Sequence, residues 1–130
     1  MKTRKCIFIA FVLIVFIAGI IMIFTINKYK SFEIKAFDVN DYQYYIDNFS
    51  SEDNVGSISD AADAAKKAEK IWVETYGKQV KKEKPYQVFY DENNDIWLIQ
   101  GTLRANSVGG VANFLAEGKT GKVLAVWHDK

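Results

Sequence analysis

The stretch ISDAADAAKKAEKIWVETYG, from Ile58 to Gly77, decides the fold. Small and apolar residues recur in it at steps of three and four, so they share one face of a helix. These residues are Ala61, Ala65, Ala68, Ile71, Trp72, Thr75 and Tyr76. Ser59 or Asp60 is placed to cap the first free N–H groups, and Gly77 to end the helix in a left-handed conformation. A face that is small at its start and bulky at its end predicts a helix that packs on a sheet.

Charged residues cover the opposite face of this helix. Asp63 and Lys67 stand four residues apart, as do Lys70 and Glu74. Residues at this spacing are neighbours on a helix surface, so each pair can form a salt bridge. The outer face is therefore expected to be solvated.

The chain after Gly77 changes to a period of two, which is typical of β-strands. Four strands are expected, at residues 86–90, 96–103, 111–117 and 122–128. Their connections are short and rich in turn residues, so they predict an antiparallel meander. Gly101 lies on the same strand face as Trp97, where it either admits a close approach or marks a bulge. The expected fold is α+β, with one helix packed on a curved four-stranded sheet in a small cone-like domain.

Ile7 to Ile26 form an uncharged apolar run of twenty residues. A helix of this length spans about 30 Å, the thickness of a bilayer core. The run is also longer than the roughly 7–15 apolar residues of a signal peptide. We therefore expect a single-pass transmembrane anchor that contacts the lipid bilayer through Ile7–Ile26, with a cleaved signal peptide as the alternative. Basic residues nearly balance across the run, and the short N-terminal flank favours an N-inside orientation at the cell membrane, with the soluble domain extracytoplasmic.

These patterns divide the chain into three parts. Residues 1–27 are the N-terminal flank and anchor, 28–57 a juxtamembrane tether, and 58–130 the small domain. The tether carries too many aromatic residues for a free linker, so it is expected to pack partly on the domain, with a short strand near Glu33–Phe37.

The charge balance argues against one class of function, and the cysteine content rules out two structural features. From Ser31 onward the chain has 12 Lys and Arg and 16 Asp and Glu, a net charge of 12 − 16 = −4. That balance argues against nucleic-acid binding, which needs a basic stripe. Cys6 is the only cysteine, so neither an internal disulfide nor a thiolate metal cluster can form.

Catalytic motifs are weak. Gly118-Lys119-Thr120 resembles the end of a P-loop, but Asn113 stands where that motif needs glycine, and strands lie on both sides. His128, the only histidine, is followed by Asp129, which would point to the opposite face of the strand. We therefore expect a hairpin turn and a non-catalytic histidine.

Three carboxylates remain as acid–base candidates: Asp91, Asp95 and Glu117. All three are placed in turns or at a strand end, where solvation is expected. We therefore predict no enzymatic activity, no cofactor and no metal. Trp72, Trp97 and Trp127 lie within apolar patterns and are expected in the core.

The order of motifs from about Ile58 to Lys130 resembles the bacterial immunity proteins with a nuclear-transport-factor-2-like fold, found beside polymorphic toxins. The signature residues are Ala68, Ile71, Trp72, Tyr76, Gly77, Pro85, Trp97, Gly101, Gly109, Gly110 and Gly121. The resemblance implies a helix cradled by a bent antiparallel sheet. It also implies binding and neutralisation of a cognate protein toxin encoded nearby. It identifies fold residues, and none of them is implied to be a toxin contact.

Two other functions fit parts of the pattern. The stretch from Lys119 to Val126 is similar to the end of a PepSY domain, which implies a membrane-tethered regulatory module acting on an extracytoplasmic peptidase. A small enzyme or ligand-binding cone instead requires a deep apolar pocket with a buried carboxyl group of raised pKa. A cone filled by Trp72 and Trp97 would exclude this last function.

Overall fold

The computed structural model describes residues 2–29 and 32–130, with side chains for 4–20 and 32–130. The chain divides into two units, an N-terminal helix and a domain that begins at Phe32. The helix, α1, runs from Lys2 to Tyr29.

The described part of the chain contains no membrane-spanning helix. No helix among the described residues combines the length and the apolar character that a membrane crossing needs. The transmembrane anchor predicted over Ile7–Ile26 is therefore not supported by the structure, and the side chains of 21–26 lie outside the described part.

The domain contains two α-helices, two 3₁₀ segments and five strands. The helices are α2 (Gln43–Asp47) and α3 (Ala61–Tyr76), and the 3₁₀ segments are Val39–Tyr42 and Lys78–Glu83. The strands are β1 (Ile34–Ala36), β2 (Gln87–Asp91), β3 (Ile96–Gln100), β4 (Ala112–Glu117) and β5 (Val123–His128).

All five strands form one sheet in the order β1-β2-β3-β4-β5. β2 to β5 are antiparallel neighbours, as the predicted meander requires. β1 pairs parallel to β2, with Ile34 opposite Val88. The α+β fold is confirmed, but the strand number was wrong: the short strand predicted near Glu33–Phe37 joins the sheet, which makes it five-stranded and mixed.

Helix α3 forms as its sequence pattern indicates. The Asp60 side chain caps its start by accepting a hydrogen bond from the Asp63 N–H at 2.8 Å, and Gly77 ends it with φ of +91°. The predicted Asp63–Lys67 salt bridge is present at 2.8 Å. Thr75 departs from the predicted buried face, because it is exposed and donates its hydroxyl to the Ile71 carbonyl. The fully or nearly buried residues are Ala61, Ala64, Ala65, Ala68 and Trp72.

The sheet is covered on both faces. Trp97 and Ile99 of β3 pack with α3 on one face, whereas Ile96 and Leu98 pack on the other. Because adjacent strand residues point in opposite directions, a strand that is buried throughout needs a layer on each side. The second layer comes from the 3₁₀ segment at Val39–Tyr42 and from α2.

Residues 32–55 cross this second face from one edge of the sheet to the other. β1 lies at the first edge, and Asn54 bridges Lys122 beside the start of β5 at the other. Phe49 packs against the apolar clusters of both faces, so it covers the β5 edge. The segment predicted as a partly packed tether therefore supplies a strand, a covering layer and an edge contact.

Gly101 admits a close approach, one of the two predicted possibilities. The approaching group is Glu83, whose Cβ would lie 2.9 Å from a Cβ at position 101. β3 ends at Gln100, three residues before the predicted end, and the Thr102 N–H then bonds to the Glu83 carbonyl at 2.7 Å. The one register shift between paired strands among the described residues lies elsewhere, at Leu115 and Ala116 of β4.

Candidate functional site

The space between α3 and the sheet is filled by side chains. Trp72 is completely buried, its Nε1 donates to the Asn113 carbonyl at 3.1 Å, and its ring meets Tyr86 edge-on with centroids 5.1 Å apart. Trp97 is 7% exposed and packs on Tyr90. Such filling argues against an interior site for a small ligand in the described domain.

Asp91 is buried rather than solvated, which corrects one sequence prediction. Its carboxylate accepts hydrogen bonds from the Val39 N–H at 2.9 Å and from both the backbone and the side-chain amide of Asn94. The Val39 bond is the main cause of a pKa below the usual range, and the Asn94 bonds add to it against the effect of burial. Asp91 therefore fastens the second layer to the β2–β3 turn as an ionised carboxylate, the opposite of a group poised to donate a proton.

Asp95 and Glu117 organise turns. Asp95 accepts the Tyr90 hydroxyl at 2.7 Å and the Lys119 N–H at 2.9 Å, and the hydrogen bond to Asp95 raises the pKa of Tyr90. Glu117 accepts the Thr120 hydroxyl at 2.6 Å. The stretch from Gly118 to Gly121 is the hairpin turn between β4 and β5, as predicted, and not a P-loop.

His128 ends β5 and has one carboxylate neighbour. Its Nε2 lies 3.4 Å from Glu83 Oε2, and its ring meets Tyr76 edge-on at 5.6 Å. The other Glu83 oxygen accepts from the Ala112 N–H at 2.7 Å, so this carboxylate also supports the start of β4. No local sequence pattern predicts this contact, because 45 residues separate the two side chains. Among the described residues no hydroxyl or thiol is hydrogen-bonded to His128, so the group lacks a nucleophile.

The signature residues are spread through the domain and do not converge on a single point. Trp72 and Trp97 are in the core, Gly77 caps α3, and Gly121 approaches the backbone of Gly56. The others lie on α3, in the chain around it, and in the loops beside β2 and β4; they are Ala68, Ile71, Tyr76, Pro85, Gly101, Gly109 and Gly110.

An open groove of about 750 Å³ lies along the outer side of α3. Several of its charges are already paired. Lys67 bonds Asp63 at 2.8 Å, and Glu69 accepts from Lys84 at 3.0 Å and from the Tyr86 hydroxyl at 2.7 Å. Burial alone would raise the pKa of Glu69, but these two partners outweigh it and lower the pKa.

A second surface lies on the opposite layer and is aromatic. We call it the aromatic face, and its residues are Tyr42, Tyr44, Tyr45 and Trp127. Tyr45 stacks on Trp127 with centroids 4.0 Å apart, and Tyr42 packs on the same indole at 6.0 Å. Tyr44 meets Tyr45 edge-on at 5.5 Å and is 72% exposed. Trp127 was expected in the core, and it is partly buried against the apolar cluster of the second face. The aromatic face itself was not predicted, although the run of three tyrosines within four residues was a usable signal.

Residues 63–130 match the model of a family described as NTF2 fold immunity protein. The match covers just over half of the 130-residue chain and includes most of α3, the 3₁₀ segment after it and strands β2 to β5. The chain therefore belongs to the NTF2-fold immunity protein family, which confirms the resemblance read from its motifs. No curated protein and no solved structure matches the chain.

Proposed function

We propose that this chain is an immunity protein that neutralises a cognate bacterial toxin by binding it directly. The observation that carries the proposal is the family match over residues 63–130. No feature of the residues that the structure describes favours the alternative of a PepSY-like module acting on an extracytoplasmic peptidase.

The geometry supports a binding role over a catalytic one. The interior is packed around Trp72. The three carboxyl groups with perturbed pKa values, Asp63, Glu69 and Asp91, are all shifted down. A general acid working near neutral pH would need the opposite shift. Neutralisation would then occur by covering the toxin or blocking its active site, with no chemistry on the immunity protein's side.

The test is co-expression with the toxin encoded beside this chain's gene. Cells that express the toxin alone should stop growing, and cells that also express this chain should grow. A toxin from an unrelated system is the control and should remain lethal. Purified toxin and chain should also co-elute in size-exclusion chromatography. Continued killing by the neighbouring toxin in cells that contain the folded chain would contradict the proposal.

The cellular location is proposed from the amino-acid sequence alone. The uncharged run Ile7–Ile26 supports attachment to the cell membrane, with residues 32–130 on the extracytoplasmic side. Fractionation tests attachment: the chain should remain with the membrane pellet after alkaline carbonate washing. Protease added to spheroplasts should then degrade the domain. Recovery of the chain in the soluble fraction would overturn the attachment, and protection from the protease would reverse the orientation.

A further inference from the structure

The aromatic face has the composition and the rigidity of a binding surface. Tyrosine and tryptophan are enriched among the residues that dominate protein–protein binding energies, because they bury a large area at a small cost in side-chain entropy. Here the rings support one another: Trp127 holds Tyr45 and Tyr42, and Tyr45 holds Tyr44. The most exposed ring, Tyr44, therefore projects from an ordered base.

Fixed negative charges flank these rings. Asp129 accepts a hydrogen bond from Trp127 Nε1 at 3.1 Å, and Asp47 accepts one from Gln43 Nε2 at 2.8 Å on α2. Desolvation raises the pKa of the Tyr42 hydroxyl, and the nearby charges of Asp41 and Asp129 raise it further. Asp41 is exposed, and no hydrogen bond or salt bridge to its carboxylate is found among the described residues.

Positive charge is excluded from this part of the chain. Residues 36–55, which include the second layer, contain no Lys or Arg but five acidic residues, whereas residues 66–84 contain seven lysines and three glutamates. The lysine-rich stretch forms α3 and the 3₁₀ segment after it, which pack on the opposite face of the sheet. One lysine, Lys35, reaches the second face at the β1 edge, where its Nζ lies over Phe89 at 5.7 Å. The second layer is thus acidic, whereas α3 and the 3₁₀ segment after it carry both signs of charge with an excess of lysine.

We propose that the aromatic face is the surface that binds the toxin, and that it recognises a basic, arginine- and lysine-bearing protein surface. This inference rests on the proposed function and names the partner's chemistry. A basic side chain of the partner can stack on the open Tyr44 ring by cation–π attraction, and another can pair with the Asp41 carboxylate, which lies near the Tyr42 hydroxyl. Acidic groups around the rings also steer a basic partner toward them before contact.

The groove along α3 is the weaker choice for this role. Its Asp63 and Glu69 carboxylates are already satisfied by neighbouring residues, so a partner would have to displace existing bonds. Its wall carries both signs of charge, whereas Asp41, Asp47 and Asp129 beside the aromatic face form no salt bridge among the described residues.

The first experiment measures toxin binding by the full chain, purified in detergent, with Tyr44→Ala and Asp41→Asn as single and double substitutions. Both side chains are exposed, so circular dichroism should show unchanged folding. We expect each single variant to bind about 10-fold more weakly and the double variant to lose growth rescue. The matched control is Lys66→Ala with Glu74→Gln on the exposed side of α3, which should bind and rescue as the wild type does. Equal binding by the double variant, or a loss confined to the α3 control, would overturn the inference.

The result separates the two proposals. If the wild-type chain fails to rescue growth, the proposed function fails, and a second probe still tests the surface. That probe is a nona-arginine peptide, titrated against the full chain while tryptophan fluorescence is recorded. We expect a change that disappears in Trp127→Phe, weakens in the Tyr44→Ala Asp41→Asn variant, and decreases as salt rises from 50 to 300 mM. A change that survives both sets of substitutions would show that the basic probe binds elsewhere, and would overturn the inference.

Discussion

The Tyr45 ring lies flat on the Trp127 indole, with ring centroids 4.0 Å apart and planes inclined by 10°. This stack joins α2 to β5 across 82 residues of chain, and it is the main aromatic contact between the second layer and the sheet. Stacked aromatic pairs contribute about 0.5–1.5 kcal/mol beyond the area they bury.

Replacing Tyr45 by alanine should therefore destabilise the domain. We expect Tyr45→Ala to lower the free energy of unfolding by about 2 kcal/mol, from the lost stack and the lost buried area together. The neighbouring Tyr44→Ala removes an exposed ring and should cost less than about 0.5 kcal/mol. Urea unfolding followed by circular dichroism measures both, and equal losses would show that the stack contributes nothing specific.

Trp72 should be the most sensitive position of the core. It is completely buried on α3, and its Nε1 is bonded to the Asn113 carbonyl at 3.1 Å. Trp72→Ala should cost about 3–5 kcal/mol through the cavity it leaves, enough to unfold a small domain. Trp72→Phe keeps most of the volume but removes the indole hydrogen bond to that carbonyl, so a smaller loss of about 1–3 kcal/mol is expected. Thermal unfolding of the two variants should rank them in this order.

Gly121 and Gly56 offer a matched pair of glycines. Both have positive φ, +72° and +75°, so alanine carries a similar backbone strain at either position. A Cβ at position 121 would collide with the Gly56 backbone, whereas one at position 56 meets nothing within 4 Å. Gly56→Ala should cost about 1 kcal/mol from strain alone, and Gly121→Ala clearly more. Urea unfolding measures the loss of stability in both variants. If Gly121→Ala loses no more stability than Gly56→Ala, the close approach of the Gly56 backbone to position 121 is contradicted.

Asp91 should make stability depend on pH. Its pKa is lower in the folded state than the value of about 3.9 expected in the unfolded chain. It therefore contributes stability above about pH 4 that is lost as the pH falls through its folded pKa. Asp91→Asn should lower the free energy of unfolding by about 1–3 kcal/mol at pH 7. The difference in this free energy between the variant and the wild type should become smaller between pH 5 and pH 2.

The control for the loss of a carboxylate is Asp47→Asn, which removes an exposed carboxylate hydrogen-bonded to Gln43 on α2. Because this bond lies on the surface, the substitution should change the free energy of unfolding at pH 7 by less than about 0.5 kcal/mol. The free energy of unfolding is measured at each pH for all three proteins. If the difference in this free energy between wild type and Asp91→Asn stays constant from pH 7 to pH 2, the charge of Asp91 does not stabilise the fold.

Local patterns predicted the part of the fold that is built from local contacts. The α3 face, its Asp60 cap and its Gly77 end follow from spacing and residue type, and so do the strands of the meander and the hairpin at Gly118–Gly121. Each of these features is decided by residues within a few positions of one another. The signature that leads to the immunity family is made of the same local features.

The features of the fold that were not predicted depend on contacts between residues far apart in the sequence. β1 pairs with a strand that lies 54 positions later, at Val88, and no local signal distinguishes parallel from antiparallel pairing there. The second layer folds as a 3₁₀ segment (Val39–Tyr42) and the five-residue helix α2, and both are too short for a helical period to show in the sequence. From its neighbours in the sequence Asp91 is expected in a solvated turn. Nothing near it in the chain indicates the hydrogen bond that it accepts from the Val39 N–H of this layer. The aromatic face could not be predicted for the same reason, because Tyr45 and Trp127 lie at opposite ends of the domain's sequence.

The crossing of the second face by residues 32–55 has a consequence for how the protein is made. During synthesis this segment leaves the ribosome before the strands that it covers, because Val39 and its partner Asp91 are 52 positions apart. Its tyrosines and phenylalanines therefore remain exposed to solvent or bound to a chaperone until β2 to β5 have been synthesised. At synthesis rates of about 5–20 residues per second, this exposure lasts several seconds. Any nascent chain stalled between Asp53 and Asp91 would carry an acidic, aromatic segment with no sheet to bind.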